Sequence, residues 1–334
     1  MTNILIFDKI VLILFKIIFY EIKNSNMISS PKKFNIRYQA IFNTPNKNII
    51  KVWLAQPLNS TTQKIKSFSI SPKPQKYYKD TQGNKILYFE FKNQKNINIQ
   101  MDIKVALWKN KINLKKEKIL VPGIYTKLFN QYTKSEKFLE QTPIIKTLTK
   151  QTINNNNRIL NQIESIFDYI IKNFQYCYPI KQRGVKYLNL NKLRGDCGEY
   201  SSLFVTMCRI LKIPARNNTG FVIFPKQKRI VEHGWASIYS KLYGWLDFDT
   251  QYASLEKNAK KYFAQRNDYR IIFTNGFNIP LKPTIPKGYK INYWNKLGLP
   301  LNNNSVQTLQ PIVFTSEKKI RFNDIIKLVK KCPD

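Results

Sequence analysis

Short runs of alternating apolar and polar residues dominate the chain between about residue 33 and residue 122. Four of these runs have the pattern of β-strands: "FNIRYQAIF", "IIKVWLAQP", "KILYFEF" and "INIQMDIKVALW". A period of two places the apolar side chains of a strand on one face, and polar turns such as "NTPN" and "DTQGN" separate the runs. This pattern predicts an antiparallel β-sandwich of immunoglobulin-like size.

Near residue 123 the hydrophobic period changes from two to between three and four. Residues 136–153, "EKFLEQTPIIKTLTKQTI", and 157–174, "NRILNQIESIFDYIIKNF", therefore predict two amphipathic helices. Residues 194–216, "RGDCGEYSSLFVTMCRILKIPAR", contain a third, largely buried helix that ends before the Ile-Pro pair. The chain thus changes from an all-strand to a mixed organisation.

Three strand patterns follow the third helix: "TGFVIF" (219–224), "RIVEHGWASIYS" (229–240) and "YGWLDFDT" (243–250). Their short connections favour an antiparallel sheet. We therefore predict an α+β protein in which an N-terminal antiparallel β-sandwich precedes an α+β core with an antiparallel sheet. The predicted divisions are an apolar N-terminal segment (1–30), the β-sandwich domain (31–125), the α+β core domain (126–285) and a C-terminal extension with a strand and a short helix (286–334).

The apolar N-terminal segment has three charged residues within its first twenty positions, and no small residues follow it as a cleavage site would require. Two interpretations stay open. In the first, residues 4–20 form a membrane anchor or an export signal. In the second, this start packs against the protein or is misassigned, with Met27 as the initiator, and the protein is cytoplasmic.

The chain has 56 Lys and Arg against 20 Asp and Glu, which gives a formal net charge of +36. Such a charge attracts phosphates, so a basic surface-binding protein is one hypothesis. However, the lysines are spread over the whole length, without an RNA-binding signature, a zinc-finger spacing or an isolated basic block. We therefore predict no specific nucleic-acid partner.

The four cysteines lie at Cys177, Cys197, Cys208 and Cys332. They have neither the CxxC spacing of a metal site nor the density of a disulfide scaffold, and we predict no metal and no cofactor. Cys208 falls on the apolar helix face, which is typical of inert packing. Cys197 is different, because it precedes that face.

Cys197 follows Asp196, which stands where a helix N-cap belongs, and Glu199 comes three residues after the cap in the spacing of a capping box. Unpaired backbone N–H groups and the helix dipole stabilise a thiolate at such a position. The sequence therefore predicts a lowered pKa for the Cys197 thiol.

His233 is the only histidine of the 334 residues. It lies in a strand pattern, and the next strand carries Asp247 and Asp249 on one face. A hairpin with His233 opposite Asp249 turns near Lys241, whereas one with His233 opposite Asp247 turns near Ser240. Spacing alone leaves both aspartates open.

A thiol at a helix start, an imidazole on a strand and a carboxylate on the adjacent strand are the parts of a cysteine nucleophile triad. In such a triad the thiol attacks, the imidazole takes and returns the proton, and the carboxylate fixes the imidazole tautomer. The combination predicts a catalytic role for the single histidine.

The order "GDCGEYSSLF…CRILKIPAR…HGWASIY…YGWLDFDT" is similar to the pattern of the transglutaminase-like superfamily. That pattern has a G-x-C-x-E/D-like helix start, a helix ending in I-P-A-R, an H-A/G-W strand and a W-x-x-x-D strand. "YKDTQGNKILYFEF" also resembles the D-x-x-G-N element in the N-terminal β-domain of bacterial members. The resemblance extends from about residue 33 to residue 285 and implies a papain-like α+β core.

By this resemblance Cys197 takes the nucleophile position and His233 the base position. Trp245 is the tryptophan of the W-x-x-x-D strand, which selects Asp249 as the triad carboxylate. The usual D-P-T is Asp249-Thr250-Gln251 here. The missing proline is a turn former and supplies no chemical group.

The resemblance implies acyl transfer at an amide or peptide carbonyl of a peptide or protein substrate, by a protease, an amidase or a transglutaminase. Hydrolysis is the expectation for a two-domain member of bacterial type. Tyr176 or Tyr178 is the candidate oxyanion donor beside the Cys197 backbone N–H. The alternative is a catalytically silent binding or scaffold module with this fold.

Overall fold

The computed structural model covers most of the two predicted domains. The described residues are 30–43, 49–109, 112, 126–155, 158–178, 180, 182–241, 243–265, 269–284, 305–306, 312–315 and 321–329. The candidate anchor or signal at residues 4–20, Met27 and Cys332 lie outside them. Within the described part, no helix is long and apolar enough to cross a membrane.

The N-terminal domain contains six strands. They are β1 (Lys32–Asn43), β2 (Ile49–Gln56), β3 (Gln63–Ser71), β4 (Lys76–Lys79), β5 (Lys85–Lys92) and β6 (Asn96–Leu107). β1, β6 and β3 form one antiparallel sheet, and β2, β5 and β4 form another. Inward-facing residues of both sheets share one hydrophobic core, so the predicted β-sandwich is present.

Strands from the C-terminal extension complete both sheets of the sandwich. β15 (Ile312–Thr315) pairs with β2, and β16 (Arg321–Leu328) pairs with β1 along eight residues. A further short strand, β14 (Ser305–Val306), pairs with β13 (Ile279–Pro280) at the end of the core domain. The chain therefore returns to its N-terminal domain after the core domain is built.

Helices occupy the first part of the core domain. They are α1 (Thr126–Thr133), α2 (Pro143–Ile153), α3 (Ile159–Asn173) and α4 (Cys197–Ile210). α2 begins later than the periodicity predicts, because Thr142 caps it and Pro143 occupies its first turn. Between α3 and α4, the short strands β7 (Gln175–Tyr176) and β8 (Arg194–Gly195) pair in parallel.

The sheet of the core domain has the order β11-β10-β9-β12 and is antiparallel throughout. Its strands are β9 (Ala215–Phe224), β10 (Arg229–Ser240), β11 (Gly244–Phe248) and β12 (Arg270–Asn275). Buried apolar residues of α3 and α4 share a second core with Ala236, Ile238, Leu246 and Phe248 of the sheet. The α+β class predicted from the sequence is confirmed.

The register of the β10–β11 hairpin differs from both sequence expectations. Ser237 pairs with Asp247 and Tyr239 with Trp245, so neither aspartate lies opposite His233. Both predicted pairings of His233 are therefore wrong. β11 ends at Phe248, before it reaches the level of His233.

The sandwich covers the β12 edge of the core sheet through specific hydrogen bonds. The Gln63 side chain accepts from the Ile272 N–H at 2.7 Å and donates to the Ile272 carbonyl at 2.9 Å. The Leu58 N–H donates to the same carbonyl at 3.1 Å. The sandwich thus satisfies backbone groups at the edge of the sheet, next to a register irregularity between Ile272 and Thr274.

The D-x-x-G-N element joins the two domains a few residues further along β12. Asp80 accepts from the N–H groups of Gln82 and Asn84, which closes the turn. The Asn84 side chain then donates to the Asn275 carbonyl at 2.8 Å and accepts from the Asn275 N–H at 2.7 Å. The element that resembles the bacterial family members thus connects the sandwich to the sheet.

Candidate active site

Asp196 caps the start of α4, as the sequence predicts. Its carboxylate accepts a hydrogen bond from the Gly198 N–H at 2.8 Å. The reciprocal half of the capping box is wrong, because the Glu199 carboxyl accepts from the guanidinium of Arg183. Arg183 also forms a two-pronged ion pair with Asp196. The helix that presents Cys197 therefore begins at a buried ionic cluster.

The Cys197 sulfur lies beside the backbone of β10. It is 3.9 Å from the position that a Cβ atom would take on Gly234, the residue after His233. The residue is half-buried, while its sulfur is surrounded by protein groups. The helix start thus brings the thiol to the backbone next to the imidazole.

The lowered pKa predicted for the Cys197 thiol is wrong. Burial of the sulfur, followed by the charge of Asp196, raises the pKa of Cys197 well above its ordinary value. The Gly234 N–H and Arg183 act in the opposite direction and only reduce this rise. The helix start does not outweigh burial, so the Cys197 side chain at rest is a neutral thiol.

His233 and Asp249 form a buried pair. The distance from His233 Nε2 to Asp249 Oδ2 is 2.8 Å, and both residues are at most 3% exposed. An ionised carboxylate only accepts hydrogen bonds, so Nε2 carries the proton and donates it. The other ring nitrogen, Nδ1, then holds a lone pair.

Asp249 reaches His233 from beyond the end of β11. It is the N-cap of the short helix α5 (Thr250–Ser254), and its Oδ1 accepts from the Tyr252 N–H at 2.9 Å. The family motif therefore selects the carboxylate that contacts His233, although the two residues are not directly opposite in the sheet.

Arg270 of β12 is a site residue that the sequence did not reveal. Its Nη2 lies 2.5 Å from Asp249 Oδ2, the same oxygen that His233 contacts. Burial alone would raise the pKa of Asp249, but the charges of His233 and Arg270 outweigh it and hold that pKa well below its ordinary value. Asp249 is consequently ionised throughout the physiological range.

Aromatic rings enclose this charged group. Tyr252 stacks on the His233 ring with 4.3 Å between centroids and 17° between planes. The Arg270 guanidinium lies between 5.3 and 5.7 Å from the ring centroids of Trp235, Tyr252 and Tyr262. These rings exclude water and strengthen the ionic contacts that they cover.

Asp247, the alternative carboxylate, belongs to a different network. Its Oδ1 accepts from Ser237 at 2.6 Å, and Ser237 in turn accepts from the Asn218 amide. Asp247 is 3% exposed, so this network is part of the interior of the sheet. The geometry joins Asp249, and not Asp247, to the imidazole.

The two oxyanion candidates lie on the segment that leads towards Cys197. Tyr176 and Tyr178 are 54% and 51% exposed. Tyr176 pairs with Gly195 of β8, two residues before the thiol. Partial burial, together with charge on Cys197 and Asp196, raises the pKa of Tyr176 to about 12. Its hydroxyl therefore stays protonated and able to donate.

The other cysteines have different surroundings. Cys208 is fully buried in the core shared by α3, α4 and the sheet, in agreement with a packing role. Cys177 is half-buried beside β8, where its N–H donates to the Gly195 carbonyl at 2.9 Å. Among the described residues, no group of His, Cys, Asp and Glu is arranged to hold a metal ion.

A helix that presents a cysteine to an antiparallel sheet with a buried histidine–carboxylate pair defines a papain-like α+β core. The sequence model of the transglutaminase-like superfamily matches residues 146–250. Over these residues the chain is therefore similar to this superfamily.

Solved structures share the fold at low sequence identity. A proposed cysteine protease from Cytophaga hutchinsonii has a TM-score of 0.58 and 13% identity, covering 92% of this chain and 93% of its own. The periplasmic domain of TgpA from Pseudomonas aeruginosa bound to ethylmercury has a TM-score of 0.37 and 14% identity, covering 68% and 77%. No curated protein sequence matches the chain. The first likeness extends the shared fold from the core to the sandwich.

Proposed function

We propose that the protein is a cysteine-dependent enzyme that transfers an acyl group from an amide or peptide carbonyl. Cys197 is the nucleophile, His233 the general base and acid, and Asp249 the carboxylate that orients the imidazole. The observation that carries this proposal is the buried 2.8 Å contact between His233 and Asp249. Gly234, which follows His233 on the same strand, adjoins the Cys197 sulfur.

In the first half-reaction, His233 Nδ1 takes the thiol proton while Nε2–H keeps its hydrogen bond to Asp249. The sulfur forms a bond to the carbonyl carbon, and the carbonyl π electrons move to oxygen. When the oxygen electron pair returns, the carbon–nitrogen bond breaks and Nδ1–H protonates the leaving nitrogen. Ammonia or an amine leaves, and a thioester remains on Cys197.

The raised pKa of the Cys197 thiol supports a base-assisted attack of this kind. A thiol that is neutral at rest needs an acceptor for its proton when substrate arrives, and His233 is the only histidine in the chain. Asp249 stabilises the imidazolium that forms for the duration of the step.

Stabilisation of the oxyanion is assigned to the Cys197 N–H and a tyrosine hydroxyl. Of the two candidates, Tyr176 is favoured, because it pairs with β8 and responds to charge on Cys197. Tyr178 is the second candidate, two residues further along the same segment.

The second half-reaction returns the free thiol. Water attacks the thioester with His233 as base, the carbon–sulfur bond breaks, and the thiolate regains a proton from the imidazolium. An amine in place of water would yield a new amide, as in transglutamination. We favour hydrolysis of a peptide or protein substrate, in line with the fold-level likeness to a proposed cysteine protease.

Intact-mass measurement with a chloroacetamide peptide and candidate amide substrates tests the proposal. We expect one adduct per chain, located at Cys197, which is absent from Cys197→Ser and retained in Cys177→Ser. Release of a free acid identifies a hydrolase, and an amine conjugate identifies a transglutaminase. A chain that forms no adduct at Cys197 and turns over no amide is the silent binding module.

A further inference from the structure

A buried arginine ties the segment before α4 to the start of that helix. Arg183 Nη1 and Nη2 each lie 2.6 Å from an oxygen of Asp196, and Nη1 lies 2.5 Å from Glu199 Oε2. Arg183, Asp196 and Glu199 are 5%, 6% and 1% exposed. Asp196 precedes Cys197 and Glu199 follows it in the sequence, so one guanidinium binds a carboxyl on each side of the proposed nucleophile.

Glycines make room for this contact. A Cβ atom on Gly195 would overlap with Glu199 Cβ, so only glycine lets Glu199 fold back under the helix start. Gly184, next to Arg183, has φ of 106°, a conformation that favours glycine. The sequence "RG…GDCGE" thus contains both the charged residues of this cluster and the glycines that allow their contacts. A helix-cap pattern accounts only for Asp196.

Only one of the two carboxyls in this cluster is ionised at neutral pH. Asp196 takes both prongs of Arg183 and the Gly198 N–H, and these contacts lower the pKa of Asp196 despite its burial. Burial, followed by the charge of Asp196, raises the pKa of Glu199 to about 8, against the influence of Arg183. At neutral pH the cluster therefore holds one cation, one anion and one protonated acid.

We propose that Arg183 is a positioning residue for Cys197, which fastens the segment that carries Tyr176 and Tyr178 to the start of α4 and keeps the ionic cluster beside the thiol neutral overall. The inference rests on the proposed role of Cys197 as nucleophile. Two consequences follow, one for the position of that segment and one for the pH at which the thiol ionises.

Other ionisable groups face the same region and belong to the charge balance. Glu140 Oε2 lies 3.5 Å from the Cβ position of Gly184. The groups that interact electrostatically with Cys197 are Asp196, Arg183, Glu232, Tyr176 and Tyr252, and the last of these stacks on His233. A shift in the pH profile is therefore read only against a matched variant.

The experiment measures iodoacetamide labelling of each cysteine by peptide mass between pH 6 and pH 10, in the full chain. Cys197 reports the charge beside the thiol, and Cys177 reports the attachment of its segment to β8. Cys208, fully buried, reports global unfolding. None of these readings requires turnover, so they stay informative if the proposed acyl transfer is wrong.

Arg183→Gln leaves the Asp196 charge without its cation, so the Cys197 labelling curve moves to higher pH and labelling at pH 8 slows by about fivefold. Release of the segment speeds Cys177 labelling by about fivefold. Arg183→Lys keeps the charge and restores the Cys197 curve, but it lacks the planar fork and still leaves Cys177 faster. Arg37→Gln removes an arginine from an ion pair with Asp102 on the sandwich; it is the matched control and changes neither thiol.

Glu199→Gln and Asp196→Asn each replace a carboxyl by an amide of similar size, but we expect them to change Cys197 labelling differently at neutral pH. Glu199→Gln replaces a neutral acid by a neutral amide, so Cys197 labelling stays within about twofold of the parent below pH 7. Above about pH 8 the variant labels faster, because no new anion forms beside the thiol. Asp196→Asn removes the charge that raises the Cys197 pKa most, so labelling becomes faster at neutral pH as well.

The proposal is overturned if Arg183→Gln labels like the parent at both Cys177 and Cys197, or if Glu199→Gln alters neutral labelling as strongly as Asp196→Asn. If Cys208 becomes labelled in Arg183→Gln, that variant has unfolded. Arg183→Lys, Glu199→Gln and Asp196→Asn then test the proposal. A parent-like labelling pattern in all variants, together with amide turnover, would leave the proposed function standing and remove only the role of Arg183.

Discussion

At the scale of single residues, Asp249 accepts hydrogen bonds from His233 and the Tyr252 N–H and forms an ion pair with Arg270. The carboxylate therefore holds the imidazole, a buried guanidinium and the first turn of α5 at once. Loss of its charge would leave Arg270 as a buried cation without this carboxylate, which is costly. The position is structural as well as chemical.

Asp249→Asn and Asp247→Asn are equal in volume and separate the two candidate carboxylates. Asp249→Asn is expected to reduce activity by orders of magnitude, because an amide no longer fixes the imidazole tautomer; the same change in a serine-protease triad costs about 10⁴ in kcat. It should also lower stability, through Arg270. Asp247→Asn should stay within about tenfold in activity, since Asp247 contacts Ser237 and not His233.

Kinetics and melting curves on both purified variants check this expectation. The melting curves separate a loss of chemistry from a loss of fold, which matters for Asp249 because it also holds Arg270. If Asp247→Asn were the more damaging change to kcat, the assignment of the triad carboxylate would have to move to Asp247.

The pH dependence of Cys197 labelling follows from the raised pKa of its thiol. Because the thiolate is the reactive form, a raised pKa moves the increase in labelling rate to higher pH. We expect the inflection for Cys197 above that of a free cysteine, which lies near pH ~8.5. Per-residue iodoacetamide rates measure it, and a midpoint below about pH 7 would show that the helix start outweighs burial after all.

Site residues that belong to a recognisable motif could be predicted from the sequence. Site residues that reach their position only through the tertiary fold could not. Trp245 and its spacing selected Asp249, the residue that contacts His233. Arg270 and Arg183 lie 21 residues after Asp249 and 13 before Asp196, on segments with no pattern that points to the site. Their positions depend on how β12 and the segment after β7 pack.

At the scale of elements, period and composition located most strands and helices, but not their pairing. The hairpin register was wrong because both predicted pairings placed an aspartate of β11 opposite His233, whereas β11 ends at Phe248 and Asp249 caps the helix that follows. β3 and β4 were not among the predicted strands. β15 and β16 join the sandwich through pairings that span nearly the whole chain, which local patterns do not contain.

Gly220→Ala tests how closely β9 and β12 must approach. A Cβ atom on Gly220 would overlap with the Ile271 carbonyl oxygen, so β12 would have to move away together with Arg270. We expect a loss of about 3 kcal/mol in the free energy of unfolding, at the upper end for overpacking. Denaturant unfolding measures this loss.

Gly234→Ala is the matched control for Gly220→Ala on the neighbouring strand. Its Cβ atom would meet nothing nearer than the Asn218 carbonyl oxygen at 3.7 Å, an ordinary contact. Its stability should stay within about 1 kcal/mol of the parent. Equal stability of the two variants would mean that β12 yields without cost.

At the scale of the whole molecule, the sandwich and the core domain share one hydrophobic cluster. Ile223, Ile230, Ile271 and Phe273 of the core sheet pack with the sandwich interior. Gln63 and Asn84 add hydrogen bonds to the backbone of β12, the strand that carries Arg270. The sandwich is therefore a support for the site, and the two domains should unfold in a single transition.

Asn84→Ala measures the strength of this support. Asn84 is fully buried, and its removal leaves the N–H and the carbonyl of Asn275 without the partners that they have in the parent. At roughly 1–3 kcal/mol for each of the two buried groups left unsatisfied, we expect a loss of about 2–6 kcal/mol in the free energy of unfolding. Gln75→Ala provides the matched control, because Gln75 bonds both backbone groups of Glu90 in the same way but at an exposed position, where water replaces it. Its cost should be about 0.5 kcal/mol or less. If Asn84→Ala were as mild as Gln75→Ala, the D-x-x-G-N turn would be a feature of the sandwich alone, and the link from that domain to the site would rest on apolar packing.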